Sequence, residues 1–240
     1  MRFLDLTLPT AAENLALDEA LLDEAEAAGA PLETLRLWES PQPLVVVGRS
    51  SRIDAEVCVD ACRASGIPIL RRVSGGAAVV AGPGCLMYAL VFSYRLRPHL
   101  RVLSQAHRYV LGTLAAALAP LAPGVEYRGT SDLALGVRKF SGNSARCRRD
   151  HFLYHGTLLY DFPLDLIDRC LAMPPRMPDY RAGRPHGGFV VNLPLAVETI
   201  RQSLAAACDA REPCADWPAA RTDRLVAEKY SRTEWNDGGT

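Results

Sequence analysis

Lys139 is one of two lysines among the 27 basic residues of this chain; the other is Lys229, and the remaining 25 are arginines. A compact ammonium with three donors has been kept where a planar guanidinium is the habit, and a point charge suits a tight space in which a phosphate and a carbonyl oxygen must both be reached. The lysine stands in GVRKFSGNSARC, residues 136 to 147. Read as a strand, period two sets Lys139, Ser141 and Asn143 on one face, a polar row headed by a cation. An exposed edge strand produces the same row.

RRVSGGAAVV, residues 71 to 80, brings two consecutive glycines among small neighbours, which allows a ligand to approach backbone N–H groups. It is neither a P-loop nor a dinucleotide fingerprint, and a plain strand-to-strand turn also accounts for Gly75 and Gly76. FLYHGTLLYDF, residues 152 to 162, sets His155 and Thr157 on one side of a strand. A buried, hydrogen-bonded structural histidine is the alternative there. Asp132 is a turn residue or a polar anchor. No Ser-His-Asp spacing and no His-rich metal cluster is visible.

The elements that would carry these residues follow from apolar periodicity. NLALDEALLDEAEAAG (14 to 29) predicts an amphipathic helix with Leu15, Ala16, Ala20 and Leu21 inward and acids outward. TLRLW and PLVVVG predict neighbouring strands, residues 54 to 65 a helix, PILRRV and CLMYALVFSY further strands, and 103 to 121 a long helix. VEYRG, DLALG, RKFSGNSAR and FLYHGTLLYDF read as consecutive antiparallel strands, and stretches around 163 to 172, 194 to 209 and 218 to 229 as helices, with a Pro-rich loop after the first of them. Helices cluster between and after the strands instead of alternating with them. The expected fold is α+β, a mixed, mostly antiparallel central sheet with flanking helices.

With 240 residues, 49% hydrophobic and 22% charged, the chain can bury a full core, and a single domain over 1–240 is expected. Zero formal net charge gives no overall attraction to nucleic acid or to an acidic membrane, and Arg146, Arg148 and Arg149 read either as a local basic patch or as a solvated loop. No apolar run approaches a membrane span and no signal-like start is present, so a cytoplasmic protein is expected. Seven cysteines without a C-x-x-C pair read as reduced thiols.

Taken together, NLALDEALL, RRVSGGAAVV, SDLAL, RKFSGNSA, YHGTLL and KYSRTEWN occur in the order seen in the lipoate-protein ligase family, within the group that includes biotin ligases and octanoyl transferases. The resemblance runs from about residue 13 to 236. It implies an enzyme with the biotin/lipoate ligase type of catalytic domain, in which ATP with Mg²⁺ activates lipoate or octanoate to an acyl-adenylate. The acyl group then passes to a lysine of a lipoyl carrier, either a lipoyl domain of a 2-oxoacid dehydrogenase complex or the glycine cleavage H protein.

By matching position, the resemblance puts Arg72, Ser74, Gly75, Gly76, Ala77, Ala78 and Val79 around the lipoyl and adenylate pocket, with Ser141, Gly142, His155, Gly156 and Thr157 on its polar wall. Asp132 would sit near the nucleotide and any Mg²⁺. Lys139 matches the family's invariant lysine and would bridge the acyl carbonyl oxygen and the α-phosphate; one such donor is typically worth ~3 kcal/mol, about 10²- to 10³-fold in rate.

The chain also departs from the family pattern. Where the family usually has a third glycine, a His and an Asn, Ala77, Ala81 and Cys85 stand here. No small C-terminal accessory domain is expected after EWN, so that part would be a separate subunit or dispensable. These departures keep open an ATP-independent octanoyl or lipoyl transferase working through a cysteine thioester, with Cys85 or Cys147 as nucleophile. A non-catalytic binder of adenylate or lipoyl domain is a further alternative. Biotin is disfavoured because the Gly-Arg-Gly-Arg type of loop is absent.

Overall fold

Eleven strands build two sheets in the computed structural model, which describes residues 1–238. They are β1 (Arg2–Asp5), β2 (Thr34–Glu39), β3 (Leu44–Val47), β4 (Ile69–Arg71), β5 (Val79–Ala81), β6 (Cys85–Ser93), β7 (Val125–Arg128), β8 (Asp132–Leu135), β9 (Arg138–Cys147), β10 (His151–Leu159) and β11 (Glu212–Pro213). The large sheet runs β11-β1-β2-β6-β10-β9-β8-β7 and the small one β4-β3-β5. Every pair from β2 to β7 across the large sheet is antiparallel; β1 is parallel to β2 and to β11. The expected α+β class and the antiparallel run β7 to β10 hold.

Three expectations change. TLRLW and PLVVVG do not pair: β2 lies in the large sheet between β1 and β6, whereas β3 pairs with β4 and β5 in the small one. The two prolines of ESPQP turn the chain between layers, a decision local propensity does not contain. The helix predicted for 54 to 65 is broken into Ile53–Glu56 and Val59–Ala64 by extended Val57 and by Cys58, which caps the second piece. The helix Ala11–Ala27, opened by a capping box between Thr10 and Glu13, does not keep its acids outward, for Asp18 and Glu19 are buried with Asn14.

The reason is that this helix is covered nearly all round. Leu17, Ala20 and Leu21 pack on Ala89, Val91 and Leu153 of the large sheet, while Leu15 and Ala16 meet the small sheet. Its buried polar groups face their own partners: Asp18 pairs with buried Arg36 at 2.6 Å, and Glu19 takes Lys229 at 2.7 Å and the Tyr230 hydroxyl at 2.7 Å. The second lysine therefore belongs to the framework. On the opposite face of the large sheet, Leu35, Tyr88, Phe152, Tyr154 and Phe140 pack under helices Leu103–Leu118 and Val197–Ala207. Among the described residues, no helix is long and apolar enough to cross a membrane.

The terminal KYSRTEWN stretch closes the frame. Arg71 points to it and donates to the backbone oxygens of Trp235 and Asp237, while Trp235 Nε1 donates back to Arg71 O at 2.9 Å. Strand alternation aims the next residue, Arg72, the other way, toward the glycine loop.

Candidate functional site: a two-lobed cavity

Gly75 and Gly76 lie in the loop between β4 and β5, and Arg72 clamps that loop. Its Nε donates to Ser74 Oγ (3.1 Å), its Nη2 to Gly75 O and to Ala77 O (3.1 Å), and its Nη1 to Val46 O (3.2 Å). Burial pulls this guanidinium down to about 10, still charged at neutral pH. Gly76 has φ +90°, and a Cβ there would stand 2.9 Å from Arg72 Nη2. Glycine is required at that position. Ala77 is not among the non-glycine residues of positive φ, so the family's third glycine is dispensable here.

Ser74 continues the frame inward. Its Oγ meets His155 Nε2 at 2.5 Å, His155 Nδ1 faces Asp18 Oδ2 at 3.4 Å, and Asp18 is held by Arg36. A buried row Ser74–His155–Asp18–Arg36 thus ties the glycine loop to β10, the first helix and β2. Arg72 Nε and His155 Nε2 both meet the Ser74 hydroxyl, so this serine links the arginine clamp to the histidine. His155, 7% exposed, satisfies the structural reading and also lines the cavity.

β9 is not an edge strand, for β10 and β8 flank it. Nor do Lys139, Ser141 and Asn143 share a face. The register slips between Leu133 and Ala134, which pair with Ser141 and Lys139, so Phe140 is an extra residue, a bulge. It re-phases the strand. Phe140 enters the core, Ser141 and Asn143 bond each other at 3.0 Å, and Asn143 Oδ1 accepts from the Tyr88 hydroxyl at 2.6 Å. Lys139 instead turns to the side of Gly142, whose missing Cβ leaves room 2.9 Å from Nζ.

Lys139 Nζ pairs with Asp132 Oδ1 at 2.7 Å, and the other carboxylate oxygen accepts from Tyr180 Oη at 2.8 Å. Burial first, then Asp132, raises the Tyr180 phenol and keeps it a donor. The lysine backbone is fixed as well, since Val191 N donates to Lys139 O at 2.9 Å. Its side chain is 28% exposed.

That exposed end opens on two joined cavities. The first, about 310 Å³, has Leu15, Val46 and Met87 among its apolar walls, with Arg72, Gly76, Asp132, His155, Gly156 and Thr157. The second, about 130 Å³, is lined by Val80, Leu159, Ile167 and Phe189, with Glu56, Ser141 and His186 as polar groups. Ala77, Ala78, Val79, Lys139, Gly142, Thr157 and Arg176 line both. Ser74 and Gly75 stand behind the wall as its supports.

Cys85 and Cys147 line neither lobe. Cys85 is fully buried in the core around the small sheet, and burial pushes its thiol up to about 12. Cys147 is exposed at the far end of β9. Glu56, which accepts from Ala78 N at 2.7 Å, and Tyr180, Arg176 and Asp18 were not singled out by residue type. Only Asn14 and Asp18, polar residues four apart inside an apolar stretch, carried a readable signal.

For a divalent cation, each lobe offers one carboxylate, Asp132 in the first and Glu56 in the second. Among the described residues no three His, Cys, Asp or Glu side chains gather to hold a metal. That set fits Mg²⁺ arriving on phosphate oxygens with one or two carboxylates, and does not fit an all-protein cage.

The small sheet presents a clamped glycine loop and the large sheet a lysine to one two-lobed hollow, which defines a small-molecule site built between two sheets. The chain belongs to the lipoyl protein ligase A/B catalytic domain family, whose profile matches residues 10–205. It is 35% identical over 148 residues to a putative lipoate-protein ligase A of Aeropyrum pernix, covering 61% of this chain and 52% of that one. It is 28% identical to the octanoyltransferase LipM of Symbiobacterium thermophilum, over 98% and 97% of the two chains. The chain spans about half the length of the first ligases it matches, 52% and 42%.

Among solved structures, a bi-partite lipoate protein ligase of Thermoplasma acidophilum, studied with its E2 lipoyl domain, superposes with TM-score 0.82 at 22% identity, covering 100% and 96% of the chains. A putative lipoate protein ligase from the same organism with bound lipoic acid gives 0.81 at 23%, over 99% of each. A lipoate-protein ligase A bound with ATP gives 0.78 at 23%, over 100% and 99%. These establish a shared fold.

Proposed function

We propose that this chain joins lipoate or octanoate to AMP at the expense of ATP and passes the acyl group to a lysine of a lipoyl carrier domain. The observation that carries the reading is Lys139, whose ammonium stands on the wall common to both lobes. The acyl tail takes the apolar first lobe beside Leu15, Val46 and Met87, and the nucleoside takes the second between Phe189 and Ile167. The carboxylate then meets the α-phosphate at the junction, next to Lys139.

In the first half-reaction a carboxylate oxygen bonds to the α-phosphorus and pyrophosphate leaves. Lys139 neutralises charge on the α-phosphoryl oxygens, beside the part of the glycine loop, Gly76 to Val79, that lines the first lobe. In the second, the carrier amine attacks the acyl carbonyl and AMP leaves, with Lys139 beside the developing oxyanion. Asp132 orients Lys139 and would contact Mg²⁺ carried by the phosphates, an ion that screens phosphate charge when bound.

The expected partners are lipoyl domains of 2-oxoacid dehydrogenase complexes or the glycine cleavage H protein. The bi-partite organisation of the Thermoplasma ligase supports a separate accessory subunit. A second reading, ATP-independent octanoyl transfer, is favoured by the likeness to an octanoyltransferase along nearly the whole of both chains. The absence of Cys85 and Cys147 from both lobes weighs against it.

The test is a lipoyl domain incubated with the protein, ATP, Mg²⁺ and lipoate or octanoate. Pyrophosphate release together with the acyl mass on the domain supports the ligase. Transfer from an octanoylated carrier without ATP, lost in Cys85→Ala or Cys147→Ala, would replace it by the transferase.

A further inference from the structure

His186 stands in the wall of the second lobe with one ring nitrogen unused. It begins the short turn His186–Phe189, and that turn is pinned to β9: Val190 N closes on His186 O at 2.8 Å, and Val190 bridges Lys139 in parallel. The residue is 8% exposed, and its Nε2 meets Ala172 O at 3.2 Å. A carbonyl oxygen only accepts, so Nε2 carries the proton. Ala172 is held in turn, its N–H donating to Glu56 O at 3.0 Å.

Burial first, with the charges of Arg181 and Lys139 adding to it, holds the histidine below its ordinary value, so the ring is neutral at pH 7. Nδ1 is therefore a lone-pair acceptor. Among the described residues it has no hydrogen-bond partner, nor is it sealed in the core, so the lone pair opens on the lobe that the ring lines. The rest of the lobe suits a flat heteroaromatic ring. Phe189 and Ile167 offer apolar faces, and buried Arg181, its guanidinium carbon 4.8 Å from the Phe189 ring centre, braces that ring.

We propose that His186 selects the base of the nucleotide, its Nδ1 accepting a hydrogen bond from the exocyclic amino group of adenine while Phe189 faces the ring. The inference rests on the second lobe as the nucleoside site. Adenine carries a donor at that edge, whereas guanine and hypoxanthine carry a carbonyl oxygen there. A 6-oxo purine would bring its oxygen against the Nδ1 lone pair, and a purine with no 6-substituent would leave the nitrogen unpaired.

The test measures calorimetric Kd values of the full chain for ATP, purine riboside 5′-triphosphate and ITP without the acid, beside a thermal melt of each variant. Wild type is expected to prefer ATP to purine riboside triphosphate by roughly tenfold, and to ITP by roughly a hundredfold. His186→Ala should bind ATP and purine riboside triphosphate alike. His186→Gln, whose amide can donate to Ala172 O and turn an oxygen to the base, should restore most of the preference, which a merely structural role would not do. Equal wild-type affinity for ATP and purine riboside triphosphate, or a preference that survives His186→Ala and collapses in Glu56→Ala, overturns the proposal and leaves the lobe a nucleotide site. A wild type that binds none of the three overturns the nucleoside reading of the lobe as well.

Discussion

Lys139 Nζ and Asp132 Oδ1 stand 2.7 Å apart at the junction of the two lobes, and the Tyr180 hydroxyl holds the other carboxylate oxygen. The pair is aimed by a bulge at Phe140 and by a missing side chain at Gly142. The cation thus has a fixed address and an open side.

Lys139→Arg should leave folding nearly untouched and lower turnover by roughly 10²- to 10³-fold. The larger planar fork is aimed differently from a single ammonium. Pyrophosphate exchange read beside a thermal melt checks this. A variant with near-normal turnover would remove Lys139 from the reaction.

Asp132→Asn keeps an acceptor for Tyr180 but removes the charge facing Lys139. The expected outcome is a folded protein whose KM for ATP rises about tenfold, a loss near 1.4 kcal/mol in binding. Steady-state kinetics with ATP varied at saturating acid reads it.

A Cβ at Gly156 would overlap the Asn143 side chain, which fills the notch on the core face. Gly156→Ala should therefore destabilise by about 1–3 kcal/mol through overpacking. Adding Asn143→Ser should recover part of that loss. Urea denaturation of the single and double variants measures both.

Stability should fall above about pH 9. The thiols of Cys85 and Cys208 are pushed up to about 12 from an ordinary value near 9, by burial in each case. A raised folded value means the stabilisation is fully present below the unfolded pKa, and is lost as pH rises toward the folded one. Each group contributes a slope of up to about 1.4 kcal/mol per unit between roughly 9 and 12. Denaturation under reducing conditions at pH 8, 9 and 10 reads the slope, and Cys85→Ala should flatten it.

Much of this was legible residue by residue. Periodicity identified the antiparallel run β7 to β10 because its extended segments follow one another in the chain and are separated by tight turns. The excess of arginine singled out Lys139, and the paired glycines singled out the loop. The single-face row of Lys139, Ser141 and Asn143 was wrong because one extra residue in a strand inverts the alternation beyond it. Asp18 and Glu19 of the first helix were misplaced because a helix covered nearly all round keeps only a narrow outer face.

By itself, the sequence determined the fold class, the residue types able to do chemistry and their family pattern, since these depend on local spacing. Only the tertiary structure decided which groups meet: Asp18 with His155, Glu56 with the Ala78 N–H, and Tyr180 with Asp132. Those contacts join segments far apart in the chain, and their energies come from burial and hydrogen bonds that exist only once the layers have closed.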